Sequence, residues 1–390
     1  MEKSDSKKQV YLDYSATTPV KPEVLEAMLP WFTENFGNPS SLYTIGQNSK
    51  KALNDARGQV AELIGAQASE VYFCASGTEA DNWAFVGAAM WKSKKGKHVI
   101  TSKIEHHALT HSAKYLEKEG FEVTYLPVDR QGFVRPEDLK NALRDDTTVV
   151  SVMYANNEIG TIEPIEELCR VARERGAIFH TDAVQALGNT ELDVSKSQVD
   201  MMSMSAHKIY GPKGVGALYI RKGINLPAYI HGGAQESGKR AGTENLASIV
   251  GFGKAAEIAR ESLGPHIEKV RSLRDYFLEK VQLAIPDIIV NGSLESRLPG
   301  NANITFKYIE GEAILLMLDM AGIYVSTGSA CSSASLEPSH VLQAIGVPTA
   351  ESHGSIRFSM GDFTTKEDLD YTVDVLKKSV EKLRSISSLG

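Results

Sequence analysis

The sequence predicts an α/β protein, with a mostly parallel sheet flanked by helices on both faces and a smaller α+β domain behind it. Three observations lead there. From about residue 70, short apolar runs alternate with helix-length stretches, the rhythm of strand–helix–strand crossovers. Residues 148–154 are β-branched and apolar without alternation, as expected of a strand buried on both faces. After Thr243 the rhythm changes, and strands and helices segregate into a unit expected from about residue 262 to the end.

The elements follow in order. Residues 71–74 make a short apolar strand that runs into Ala75-Ser76-Gly77-Thr78, and 79–91 make a helix. Residues 98–101 read as a strand, 107–117 as a helix and 121–126 as a strand. A helix opens at Pro136 and runs to 144, the strand 148–154 follows, and a second helix opens at Pro164 and runs to 175. Residues 177–182 and 201–205 are strands, and 216–220 is another after the Gly211-Pro212-Lys213-Gly214 loop. Beyond Thr243 come helices at 244–258 and 265–283, strands at 288–291 and 303–308, and a helix at 313–320. A strand at 355–360 and a helix from Lys366 complete the chain.

Composition narrows the function. The chain has 390 residues, 42 Lys+Arg against 49 Asp+Glu, and a formal net charge of -7, which argues against nucleic acid or anionic membranes as partners. The 3 cysteines are odd in number and far apart, so no disulfide framework is expected and a reducing compartment is. The first ten residues are polar, and the greasy stretch 313–325 is too short to span a bilayer. A cytoplasmic protein is expected.

Five constellations could carry chemistry. Ser76-Gly77-Thr78-Glu79 opens a helix, where free amides and the helix dipole suit a phosphate; the alternative is a plain N-cap by Thr78. Lys208 follows a strand end, on the edge where α/β sheets bind ligands, with Ser205 and His207 beside it as anion donors. Such a lysine near a phosphate and a conjugated aldehyde can form a Schiff base; the alternative is a solvated surface lysine. Asp182 ends another strand and suits a pyridinium nitrogen, or else caps the next turn. His106 could stack on a flat ring or move protons, while His107 and His111 at i,i+4 could instead suggest a metal pair, and no metal site is expected. Asn156-Asn157-Glu158 could add amide donors on the same edge. Cys331 sits among Ser, Gly and Ala, which favours an exposed, mobile thiol, whereas Cys74 and Cys169 fall in regular structure and are expected to pack inertly.

Together these residues resemble a fold-type I pyridoxal-phosphate enzyme of the class V aminotransferase group, and within it the NifS/IscS-like cysteine desulfurases. The resemblance runs from Tyr11-Leu12-Asp13-Tyr14-Ser15-Ala16-Thr17-Thr18-Pro19 through Gly37-Asn38-Pro39-Ser40-Ser41 and Asn156-Asn157-Glu158-Ile159-Gly160. It continues through His180-Thr181-Asp182-Ala183-Val184-Gln185, His207-Lys208-Ile209-Tyr210-Gly211 and Arg240-Ala241-Gly242-Thr243-Glu244-Asn245 to Ser355-Ile356-Arg357-Phe358-Ser359.

The resemblance implies a large cofactor domain, residues 15–261, and a small domain of 1–14 with 262–390 that carries the catalytic cysteine. It implies pyridoxal 5'-phosphate bound through Lys208, which also moves the Cα proton, with Asp182 on the ring nitrogen, Gln185 on the phenolic oxygen and His106 on the ring face. Gly77, Thr78, Ser205 and His207 are implied to hold the phosphate, with Thr243 acting from the partner subunit of a homodimer. Asn157 and Arg357 are implied to orient L-cysteine, and Cys331 to take its sulfur as a persulfide and pass it to an iron–sulfur scaffold or tRNA-thiolation protein. A selenocysteine lyase or an aminotransferase of the same fold is the alternative, and a silent scaffold the remote one. Two residues depart from the family pattern: Tyr43 stands where histidine is usual, and Ser76 where glycine is common.

Overall fold

The computed structural model describes residues 8–327 and 338–386. The chain begins with β1 (Val10–Tyr11) and three helices, α1 (Pro22–Met28), α2 (Pro30–Thr33) and α3 (Thr44–Leu63). The alternating part comprises β2 (Val71–Cys74), α4 (Gly77–Lys92), β3 (His98–Ser102), α5 (His107–Lys118), β4 (Glu122–Leu126) and α6 (Pro136–Ala142). It continues with β5 (Thr147–Ser151), α7 (Ile165–Glu174), β6 (Ile178–Asp182), the single turn α8 (Val194–Ser197), β7 (Met201–Ser205) and β8 (Gly216–Ile220). Then follow α9 (Leu246–Ala284), β9 (Ile288–Val290), β10 (Asn301–Phe306), α10 (Gly311–Met320) and β11 (Ile323–Tyr324). The last elements are α11 (His340–Ala344), α12 (Thr349–Ser352), β12 (Ser355–Ser359) and α13 (Lys366–Ile386).

Seven strands form one sheet in the order β2-β8-β7-β6-β5-β3-β4. Neighbours from β7 through β4 are parallel, and β8 alone runs against them, antiparallel to both β7 and β2. Every residue of β3, β5, β6, β7 and β8 is buried, which is why these strands read as unbroken apolar or small-residue runs. Edge strand β4 is only partly covered, running from exposed Glu122 through half-buried residues to buried Leu126. Parallel strands place all their C-terminal ends on one edge, so the loops after β2, β3, β5, β6 and β7 meet there. That edge is where the sequence puts its chemistry.

A second core gathers Val10 and Leu12 from the N-terminus, Phe277 and Val281 of α9, Ile304 and Phe306 of β10, Phe358 of β12 and Leu376 of α13. Its sheet has the order β12-β10-β9, all antiparallel, and β1 pairs in parallel with β11.

The two helices expected at 244–258 and 265–283 are one helix, α9, with Pro265 inside it. Proline removes one amide and crowds the preceding turn, a cost of ~3 kcal/mol in a helix interior. Here Ile249, Phe252, Ala255 and Ala256 are buried upstream and Val270, Leu273, Phe277 and Val281 downstream, while Arg260, Glu261, Gly264 and Pro265 between them are exposed. Both cores hold the helix, and the proline sits where water can serve the carbonyl left without a donor. The N-terminal helices, which the alternating pattern did not announce, brace this arrangement. A Cβ on Gly253 of α9 would lie 2.6 Å from Ala56 Cα of α3, so the two backbones touch through small residues.

This contact generates a prediction. Gly253→Ala introduces a Cβ against backbone and is expected to destabilise the protein by about 1–3 kcal/mol, read as a lower denaturation midpoint. A wild-type midpoint would show that α3 and α9 separate without cost.

Candidate active site

A cavity of about 370 Å³ opens at the shared strand edge, lined among others by Gly77, Thr78, His106, Asn157, Asp182, Gln185, Ser205, His207, Lys208 and Arg357. Ten sequence-predicted site residues from six separate chain segments thus face one space. A smaller cavity of about 50 Å³ reaches Ser15, Gln185 and Lys208 from the side of the second core.

One end of the cavity suits an anion. Ser76 is the N-cap of α4, its hydroxyl accepting the Glu79 amide at 3.1 Å, so the Thr78 hydroxyl is not the capping group. The amides of Gly77 and Thr78 fall in the first turn, where no helical carbonyl stands behind them, and the helix dipole adds positive potential. A Cβ on Gly77 would meet Val184 Cγ2 at 2.7 Å, so only glycine lets this turn approach the β6 loop so closely. Ser205 and His207 enter from the end of β7. His207 Nδ1 lies 3.1 Å from Thr17 Oγ1, and burial with the nearby Lys208 charge pulls its pKa to about 4, leaving a neutral ring.

The middle of the cavity suits a flat cationic ring. Asp182 Oδ1 accepts the Val184 amide at 2.9 Å, so this carboxylate both caps the following turn and faces the cavity. Burial pushes its pKa up to about 6, opposed by the Val184 amide and Lys208. His106 caps α5, its Nδ1 accepting the Ala108 amide at 3.2 Å. Burial, and then Lys208, pull its pKa to about 4. Lys208 Nζ donates to the carbonyls of Ser15 at 2.5 Å and Ala16 at 2.7 Å, and Gln185 Nε2 donates to the same Ser15 carbonyl at 2.9 Å. That shared acceptor holds Gln185 beside the lysine.

The far end suits a carboxylate. Arg357 is 1% exposed, with Nη2 donating to Asp13 Oδ1 at 2.8 Å and Nη1 to the Asn157 carbonyl at 2.9 Å. Its Nε has no partner among the described residues. Asn157 therefore meets Arg357 through its backbone, while neighbouring Asn156 tightens the loop by accepting the Glu158 and Ile159 amides.

Cys331 lies outside the described residues, between Thr327 and Pro338, and both flanks of its segment attach to the site. Ser326 exchanges backbone hydrogen bonds with Arg357, at 3.3 and 2.7 Å. Ser339 Oγ donates to Glu158 Oε2 at 2.5 Å, and His340 Nε2 lies 2.9 Å from the Glu105 carbonyl. Thr243 is exposed and does not line the cavity, and Tyr43 is 60% exposed and also outside it. Cys74 and Cys169 are buried, and burial pushes both thiols up, Cys169 to about 12. The His107 ring lies 5.3 Å from that of His111 and 5.2 Å from that of His340, between centroids. Among the described residues, however, the group whose ligand atoms converge is Asp81, His106 and Asp182, all within 4.8 Å of one another.

Sequence reading missed Asp81, Glu105, Thr17 and the Ser15 and Ala16 carbonyls. The Tyr11-to-Pro19 motif was the available signal for the last three, but a backbone carbonyl has no side-chain signature. Glu105 was visible beside His106; its burial was not. Its Oε1 accepts from Ser102 Oγ at 2.6 Å and the Met153 amide at 3.0 Å, and Oε2 has no partner among the described residues.

Burial pushes the Glu105 pKa up to about 8, so the acid is neutral at pH 7. A folded-state pKa above the unfolded value contributes stability at low pH that is lost as pH rises through about 8. Glu105→Gln removes this titration, so its stability relative to wild type is expected to improve as pH rises from about 5 to about 8 and then to level off in thermal melts. A pH-independent difference would contradict a neutral Glu105.

The Aminotransferase class-V family model matches residues 10–372. Cysteine desulfurase IscS of Dictyoglomus turgidum is 58% identical over 98% of this chain and 97% of its own length. Cysteine desulfurase IscS of Methanosarcina thermophila is 55% identical over 99% and 95%. Among solved structures, a NifS-like protein superposes with a TM-score of 0.91 at 37% identity, covering 96% of this chain and all of the other. SspA in complex with cysteine superposes with a TM-score of 0.81 at 36% identity, covering 92% of this chain and all of the other. By family match, by relatives more than half identical and by fold, the chain belongs to the class V aminotransferases.

Proposed function

We propose that the protein is a pyridoxal-phosphate-dependent cysteine desulfurase that takes sulfur from L-cysteine, releases L-alanine and leaves a persulfide on Cys331. The observation that carries this reading is the convergence of Lys208, Asp182, His106 and Arg357 on one cavity, with both flanks of the Cys331 segment tied to the same loops. The names of the relatives support the same activity, and one solved relative is described with cysteine.

Pyridoxal phosphate, when bound, supplies an aldehyde that condenses with amines and a ring that accepts the electron pair of a breaking Cα–H bond. The residues do the rest. The amides of Gly77 and Thr78, with Ser205 and His207, bind the phosphate. Asp182 keeps the ring nitrogen protonated, and Gln185 reaches the phenolic oxygen. His106, neutral because its pKa is pulled to about 4, covers the ring face without adding positive charge. Arg357 pairs with the substrate carboxylate, held in place by Asp13 and the Asn157 carbonyl. The Lys208 amine takes the Cα proton.

The Cys331 thiolate then attacks the substrate sulfur. An S–S bond forms and the Cβ–S bond breaks; a proton delivered to Cβ, and the proton held by Lys208 returned to Cα, complete alanine. Cysteine and thiol become alanine and persulfide, with no external oxidant or reductant. The outer sulfur passes to an acceptor thiol such as that of an iron–sulfur scaffold or tRNA-thiolation protein. Exposed Thr243 serves the partner subunit's phosphate site in a homodimer, and the enzyme acts in the cytoplasm.

Two variants separate the steps. Lys208→Ala is expected to lose the absorbance of the lysine-bound cofactor and all alanine release. Cys331→Ala is expected to keep that absorbance and lose sulfur transfer. Full sulfur transfer by Cys331→Ala would refute the persulfide route.

A further inference from the structure

Asp81 has no role in the reaction as described, yet it lies in the floor of the cavity. It belongs to the second turn of α4, is 1% exposed, and its Oδ1 has no hydrogen-bond partner among the described residues. One of its oxygens lies within 4.8 Å of a ligand atom of Asp182 and one of His106. His180 Nε2 lies 3.8 Å from Asp81 Oδ1.

We propose that Asp81 is a positioning residue for Asp182: it remains an uncharged carboxylic acid, so that Asp182 alone carries negative charge toward the cofactor ring. This rests on the reading of Asp182 as the partner of the ring nitrogen.

The surroundings decide which carboxyl keeps a proton. Two carboxylates this close in a buried site do not both ionise, and the pair shares its titration. Asp182 has the Val184 amide at 2.9 Å and the attraction of Lys208, both favouring its anion. Asp81 has the Ser203 hydroxyl, which is outweighed by burial and by repulsion from Asp182. His180 supplies no cation. Its ring nitrogens lie 2.8 Å from Ser151 Oγ and 2.9 Å from Ser203 Oγ, and burial pulls its pKa to about 3. The other titratable groups facing the pair are His106, held neutral, and Glu105, raised to about 8. Thus the proton rests on Asp81, at the end of the chain Ser151–His180–Ser203–Asp81.

The test compares wild type with Asp81→Asn, which keeps the shape and the neutrality of a protonated aspartate. Infrared difference spectra near neutral pH, taken with and without pyridoxal phosphate, are expected to show a protonated-carboxyl band in wild type that the variant lacks. The variant is also expected to bind pyridoxal phosphate within about threefold of wild type. Loss of an ionised-carboxylate band instead, or cofactor binding weakened tenfold or more in a folded variant, would overturn the proposal. Where Asp81→Asn does not fold, carbon-13 NMR of aspartate-labelled wild type decides: one buried carboxyl in the acid form near neutral pH is expected, and none overturns it. The two readings fail separately. If pyridoxal phosphate does not bind wild type, the role of Asp182 fails, while the band in cofactor-free protein still reports the proton on Asp81.

Discussion

Holding one negative charge out of water, at the end of a parallel strand, is the constraint on which the site depends. A buried carboxylate is costly unless something compensates it. The fold compensates Asp182 with a backbone amide and a lysine, and keeps its neighbours from competing. His106, His180 and His207 are held neutral, and Glu105 is held as an acid. Negative charge in the cavity is thereby concentrated on Asp182, facing the cations Lys208, Lys213 and Arg357 that share the same walls. The parallel sheet makes this affordable, because β3, β5, β6 and β7, which lead into His106, Asn157, Asp182 and Lys208, are buried along their whole length.

The same constraint links the two cores. Arg357 leaves the middle of β12, reaches Asp13 of the N-terminal segment and the Asn157 loop after β5, and pairs through its backbone with Ser326. Glu158, one residue on, receives Ser339. The segment bearing Cys331 therefore begins and ends on residues that also shape the substrate end of the cavity, while α9 spans both cores as one continuous helix.

Much of this was legible in the sequence. Strand ends carry chemistry in an α/β sheet, and apolar periodicity marks the strands, so Asp182, Lys208, His106 and Asn157 could be placed on one edge before any contact was known. Pro265 misled because local propensity says break, whereas two hydrophobic cores on either side hold the helix through it. Asp81 was hidden for a related reason. Within Glu79-Ala80-Asp81-Asn82, an acid on a helix reads as solvated surface, and only the approach of β6 and β7 beneath it makes it buried. His180 was masked likewise, as a polar letter inside a strand. Contacts between segments a hundred residues apart leave no local pattern.

The central claim is that this buried arrangement delivers the sulfur of cysteine to one thiol. The most direct measurement is the mass of the tryptic peptide containing Cys331, after brief incubation of the pyridoxal-phosphate-loaded enzyme with L-cysteine and alkylation. The account predicts a peptide heavier by one sulfur atom at Cys331, in step with alanine release. Alanine release with no added sulfur on Cys331 would contradict it.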